Sequence, residues 1–296
     1  MEISRRHFLS VLGASSLAAI AGPALDALAL PANAKKAIWL QGSGCTGCSI
    51  SFLNRISSVS PTSAADVLLN VVELNYQPTI MSASGELAVS AAEAVYAQGG
   101  YVLLVEGGVP TAFGGAACWG WSMGGKDYTF LEIVNKYASK AAATICIGTC
   151  ASWGGVSAAY PNPTAVKGVA QATGRKTINI AGCPPHPDWI VWGLAQLLAG
   201  AGMPLDSYGR PTALYGKKLH ERCPRKETDE IKTFGVDGRC LKALGCKGPT
   251  TEAPCATSKW NNGVNWCVDA NAPCIGCTEA NFPVRGLMGI GTGSGE

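Results

Sequence analysis

AIWLQGSGCTGC, residues Ala37–Cys48, begins as a short apolar run and ends in a glycine-rich turn holding two cysteines. A four-residue apolar segment broken by glycines is too short for a helix and reads as a buried strand. A helix candidate, Gly47–Ser58, follows at once. The same unit recurs down the chain. Val67–Leu74, Tyr101–Glu106, Ala143–Ile147 and Thr177–Ala181 are further strand candidates, rich in β-branched residues. Glu86–Gln98, Tyr128–Ser139, Thr164–Ala172 and Asp188–Leu198 are the helix candidates between and after them. Strand–helix alternation of this kind predicts an α/β fold, a parallel sheet covered on both faces. We expect a flavodoxin-like sheet domain over residues 35–205.

In open parallel sheets, ligands bind beyond the carboxyl ends of the strands. There the chain places Cys45 and Cys48 after the first strand, Cys150 after the fourth and Cys183 after the fifth. Cys45-x-x-Cys48 alone also suits a redox dithiol, but four thiols on one sheet edge suit a four-iron cluster or a zinc ion. The neighbouring glycines allow sharp turns and close backbone approach. Glu106 ends the third strand beside this site; it either caps a loop or serves as a proton relay. Cys146, inside a strand, and Cys118, in a Gly/Trp-rich loop, read as packed thiols.

Beyond residue 206 the alternation stops. Apolar residues are scattered and turn formers are dense, so burial alone does not offset the entropy of ordering residues 206–296. Either the segment is disordered or something other than a core holds it, and its eight potential soft ligands point to metal-driven folding. His220, Cys223, Cys240 and Cys246 form one four-ligand set; Cys255, Cys267, Cys274 and Cys277 form another. Spacing leaves zinc and iron–sulfur both open. Nine lysines and arginines fall between residues 217 and 247, against five acids. They read as a solvated face, or as a docking patch near His220 for an acidic or haem-bearing partner.

The 296-residue chain has a net charge of +3 and no aromatic–basic interleaving, which argues against nucleic acid. Ser4-Arg5-Arg6-His7-Phe8-Leu9, an alanine-rich apolar stretch and Ala32-Asn33-Ala34 follow the order of a twin-arginine export signal over residues 1–34. No later segment has eighteen uninterrupted apolar residues, so no membrane span is expected. Thirteen cysteines is an odd number, so full disulfide pairing is excluded. Three four-ligand sites in an exported chain favour a redox relay over structural zinc. An iron–sulfur subunit of another exported oxidoreductase, a structural zinc protein and a disulfide-stapled binding module are the competing readings.

The motifs GCTGCS, VEGGVP, GTCASWGG, AGCPPHPDW and NWCVDANAPCIGC, with the His220 set, resemble the small, electron-transfer subunit of periplasmic nickel–iron hydrogenases. The resemblance implies a proximal 4Fe–4S cluster on Cys45, Cys48, Cys150 and Cys183. It implies a distal cluster on His220, Cys223, Cys240 and Cys246, and middle-cluster ligands at Cys255, Cys274 and Cys277. In the oxygen-sensitive members of that family proline follows Asn-Trp and the middle site holds three irons. Here Cys267 stands in that place, as in the nickel–iron–selenium branch, so three 4Fe–4S clusters are expected. The catalytic metal is then carried by a large subunit bearing the nickel–iron site, across an interface above ~2,000 Å². The implied electron carrier is a soluble multihaem c-type cytochrome, the implied location the periplasm, and no anchor helix is expected.

Overall fold

The computed structural model describes residues 36–236 and 238–283. The export-signal expectation and the tail beyond Pro283 lie outside the described residues. The strands are β1 (Lys36–Gln41), β2 (Glu73–Tyr76), β3 (Val102–Glu106), β4 (Val109–Pro110), β5 (Trp119–Met123), β6 (Lys126–Thr129), β7 (Ala143–Ile147), β8 (Val166–Lys167) and β9 (Ile178–Ile180). Five of them pair in parallel in the order β2-β1-β3-β7-β9. Counted along the chain that is 2-1-3-4-5, the flavodoxin-like order.

Both faces of the sheet are buried because its side chains alternate between two layers. Trp39, Leu104, Ile145 and Ile147 pack on one face with helices α1 (Gly47–Leu53), α2 (Ala64–Asn70) and, at the far end of the chain, Pro187–Leu198. Ile38, Leu40, Leu103 and Val105 pack on the other with α3 (Gly85–Gln98) and α4 (Phe130–Ala138). Each such side chain, fully withdrawn from water, stabilises the fold by roughly 1.5–3 kcal/mol. Helix α4 opens on a capping box: Thr129 Oγ1 accepts from the Glu132 amide at 3.2 Å and the Glu132 carboxylate accepts from the Thr129 amide at 2.8 Å. The short helices α5 (Thr149–Trp153) and α6 (Val169–Thr173) precede α7 (Pro187–Leu198), which has proline at its first position.

Three elements differ from the sequence reading. Val67–Asn70, expected as strand, lies in α2, and β2 begins only at Glu73. Ser63 caps that helix through the Asp66 amide, and Asn70 bonds Asp66 one turn back at 2.7 Å. A run of apolar residues by itself does not separate strand from buried helix. The helix expected over Gly47–Ser58 stops at Leu53, where the Arg55 side chain turns inward to Pro61 O at 2.9 Å and to Asp188. The helix expected at Thr164 begins only at Val169, because Val166–Lys167 first pairs antiparallel with β4. The β5–β6 hairpin was not foreseen, although Gly124-Gly125, both at positive φ, is a two-residue hairpin turn.

From Tyr208 onward only short helical turns of three or four residues occur among the described residues, as the loss of periodicity implied. The segment nevertheless has a share in the core. Leu219, Leu241, Ala253, Trp266 and Val268 are buried in the same cluster as Trp39. Tyr215 OH donates to Ala181 O at 2.7 Å. Residues 206–296 were expected to depend on metal rather than burial; burial against the sheet supplies part of their hold.

Candidate functional site

The loops that follow β1, β3, β7 and β9 are stitched into one edge. Gly42 N donates to Glu106 O at 2.7 Å, and Ser43 and Gly108 exchange backbone hydrogen bonds at 2.9 and 2.7 Å. Gly148 N donates to Ile180 O and Thr149 N to Gly182 O, both at 2.9 Å. This edge carries Cys45 and Cys183, exposed, and Cys48 and Cys150, half-buried. The four thiols lie close enough for their charges to act on one another. Burial pushes Cys48 well up from the ordinary thiol value, and the negative charge of Glu106, Cys150, Cys183 and Cys45 pushes it further. Cys183 is pushed up to about 11 by burial, then by Cys150 and Cys45. Gly148 sits at φ +90°, and a Cβ there would lie 2.5 Å from Cys48 Sγ, so only glycine fits.

Glu106 is buried, and its carboxylate accepts five hydrogen bonds. Trp39 Nε1, Gln41 Nε2 and Ser49 Oγ donate to Oε2 at 3.1, 3.2 and 2.5 Å; the Cys48 and Ser49 amides donate to Oε1 at 3.0 and 3.1 Å. Helix α1 has no side-chain cap of its own. Glu106 supplies it from across the sheet, satisfying first-turn amides that would otherwise be orphaned. These contacts build the loop-holding role weighed from sequence. Glu106→Gln turns an amide group toward donors; we expect a loss of about 1–3 kcal/mol in denaturant-induced unfolding, with unchanged stability excluding the role.

The second set, Cys255, Cys267, Cys274 and Cys277, lines one mainly apolar cavity of about 280 Å³ together with Leu219, Trp266 and Cys183. Burial raises all four thiols. For Cys255 the negative charge of Cys277, Cys274 and Cys267 adds to it. Cys274 is pushed up to about 11 by burial, against the opposing pull of the Gly276 amide and Thr251. Trp266 is buried and its Nε1 has no protein partner. The third set surrounds the turn His220–Arg222. Cys223 follows that turn, and Cys240 is buried while Cys246 is half-buried. Burial raises Cys223, with Cys246 and Cys240 adding to the rise against the pull of the Arg225 amide. The His220 amide donates to Gly248 O at 3.0 Å, which ties the turn to the residues after Cys246.

The three sets touch in sequence. Cys183 lines the same cavity as Cys255, Cys267, Cys274 and Cys277, which joins the first set to the second. Cys274 N donates to Cys246 Sγ at 3.3 Å, which joins the second to the third. Thr149 and Thr251, which sequence reasoning passed over, serve these junctions: Thr149 Oγ1 donates to Cys277 O and Thr251 Oγ1 lies 3.6 Å from Cys274 Sγ. Nothing in the local sequence marks them, since both act through contacts distant along the chain.

All thirteen cysteines are free thiols. Among the described residues, no three His, Cys, Asp or Glu side chains close round a single ion. The second set stands around a space instead. Crowded thiols with raised pKa values, and an indole N–H without an acceptor, fit a cationic group larger than one ion that carries its own acceptors. Cys146, fully buried and pushed up to about 12 by that burial, and half-buried Cys118 belong to the second core face.

A flavodoxin-like sheet continuing into a cysteine-rich, irregular segment defines a class of oxidoreductase subunits. Residues 45–197 match the family model "NADH ubiquinone oxidoreductase, 20 Kd subunit", and residues 215–288 match the model for the C-terminal part of the NiFe/NiFeSe hydrogenase small subunit. The chain is 39% identical over 315 residues to the periplasmic [NiFeSe] hydrogenase small subunit of Desulfomicrobium baculatum, covering 96% of this chain and 97% of that one. It is 41% identical over 293 residues to the periplasmic [NiFe] hydrogenase small subunit of Solidesulfovibrio fructosivorans, covering 95% and 90%. The solved [NiFeSe] hydrogenase of Dm. baculatum superposes with a TM-score of 0.78 at 38% identity, over 84% of this chain and 96% of that one. The chain belongs to the family of small subunits of periplasmic nickel–iron and nickel–iron–selenium hydrogenases.

Proposed function

We propose that this chain is the electron-transfer subunit of an exported hydrogenase and holds three 4Fe–4S clusters. Cys45, Cys48, Cys150 and Cys183 hold the proximal one. Cys255, Cys267, Cys274 and Cys277 hold the middle one, and His220, Cys223, Cys240 and Cys246 the distal one. Bound there, the clusters supply one-electron chemistry between a large subunit's nickel–iron site and a soluble multihaem c-type cytochrome. The observation that carries this reading is the contiguity of the three sets, from Cys183 in the cavity of the second set to Cys274 against Cys246.

The chain's own residues do the rest. Glu106 and Gly148 hold Cys48 in place, and Leu219 and Trp266 limit water at the second cavity. Ile50, Leu53, Ile56 and Val59 are exposed on and just after α1, beside Cys45 and Cys48. An apolar patch of this kind marks a protein interface, and it suits the large subunit. The twin-arginine signal of residues 1–34 accounts for export to the periplasm. Among the described residues no helix is long and apolar enough to cross a membrane.

The test is made on the complex isolated without air. It should show hydrogen-dependent dye reduction and a broad brown absorption that bleaches on reduction; a colourless, iron-free protein excludes the reading. Cys267→Pro should convert the middle cluster to a three-iron form with a paramagnetic signal when oxidised. An unchanged cluster type would show that Cys267 is no ligand.

A further inference from the structure

Among the described residues three tryptophans are buried almost completely: Trp39 and Trp189 at 2% exposure and Trp266 at 4%. An indole N–H withdrawn from water needs an acceptor. Trp39 Nε1 donates to the Glu106 carboxylate at 3.1 Å, and Trp189 Nε1 donates to Ser258 Oγ at 3.0 Å. Trp266 Nε1 has no such partner. Among the described residues it is the one buried side-chain nitrogen without an acceptor. An orphan of this kind in a packed region marks a partner that the polypeptide does not supply.

The rest of the residue is fixed. Trp266 N donates to Asn265 Oδ1 at 2.8 Å, Ala270 N donates to Trp266 O at 3.0 Å, and Trp260 N closes the turn on Asn265 O at 2.6 Å. The ring packs in the same core cluster as Trp39, so it does not swing out to water without opening that cluster. It borders the second cavity, together with Cys255, Cys267, Cys274 and Cys277. Among the described residues no lysine, arginine, aspartate or glutamate lines that space. The lining is mainly apolar, so a water there finds few polar partners. In such surroundings a single N–H dipole is felt strongly.

Resting on the reading of the second set as a 4Fe–4S site, we propose that the missing acceptor is a sulfur of that cluster, and that Trp266 sets the potential of the middle site. Trp266 is then a positioning residue, acting through a hydrogen bond and not as a ligand. The sign follows from charge. Gaining one electron makes the sulfurs more negative, so the N–H stabilises the reduced form more than the oxidised one. Cys267 adds a negative ligand and lowers the potential; the indole N–H beside it opposes that fall.

The test uses the complex isolated without air, titrated potentiometrically and followed by electron paramagnetic resonance, in the parent and in Trp266→Phe. Phenylalanine keeps an aromatic ring and removes the N–H. At fixed ambient potential the ratio of reduced to oxidised middle cluster should fall about tenfold in the variant, a shift of about 59 mV to more negative potential. The other two steps should stay in place, and iron per complex should not change. An unmoved middle step at full iron overturns the proposal, as does an equal shift of all three. A second measurement needs no variant. With the heavy nitrogen isotope in the tryptophan indoles, pulsed resonance on the reduced parent should show a hyperfine coupling to indole nitrogen, which Trp266→Phe should lose. No indole coupling in the parent overturns the proposal even where the variant fails to assemble. A parent complex with iron for only two clusters would instead overturn the assignment of the second set, so the iron count tells the two failures apart.

Discussion

Replacing Cys183 with alanine is expected to remove about a third of the iron from the complex and to abolish hydrogen-driven reduction of any protein carrier. Cys183 is the thiol that serves two neighbourhoods. It stands on the sheet edge with Cys45, Cys48 and Cys150, and it lines the cavity of the second set. Losing its sulfur leaves the first set with three thiols at the place where it meets the second. The measurement is iron per complex together with carrier reduction under hydrogen. Full iron with normal reduction would show that Cys183 holds nothing.

Arg210→Met is expected to cost about 3–5 kcal/mol of stability, read as a fall in the midpoint of urea or thermal unfolding. Arg210 is only 1% exposed and meets three carboxylates: Asp206 at 2.8 Å, Glu252 at 2.7 Å and Glu279 at 3.1 Å. It also donates to Thr278 O at 3.1 Å. One guanidinium thereby joins the chain leaving the sheet to the strands of loop on either side of the second cysteine set. Without it, three partly buried acids repel one another. Such a change is far larger than that for an exposed pair such as Lys126–Glu132, where about 0–1 kcal/mol is the norm. A variant within about 1 kcal/mol of the parent would show the network to be incidental.

How much of this was visible in the linear chain depends on range. The sheet was legible because β-branched runs such as Ala143–Ile147 declare themselves over five residues. The gathering of Cys45, Cys48, Cys150 and Cys183 was legible for the same reason, since each follows a strand. Val67–Asn70 misled because its apolar residues suit either structure, and the cap at Ser63 decided it. The part played by Arg210 was invisible: its partners lie 42 and 69 residues away. So was the seat of Trp266 and Val268 on the sheet, since a scattered apolar residue signals burial only once its neighbours are known.

The stitching of the sheet edge carries a consequence for speed. A centre that gains or loses an electron shifts its ligands slightly, and the barrier to each hop grows with that shift. Here the thiols of the first set spring from strand ends locked by the Ser43–Gly108 pair, the Glu106 carboxylate and the Thr149–Gly182 contact. Anchors on a sheet move little, which would keep the reorganisation energy low for any centre these thiols hold.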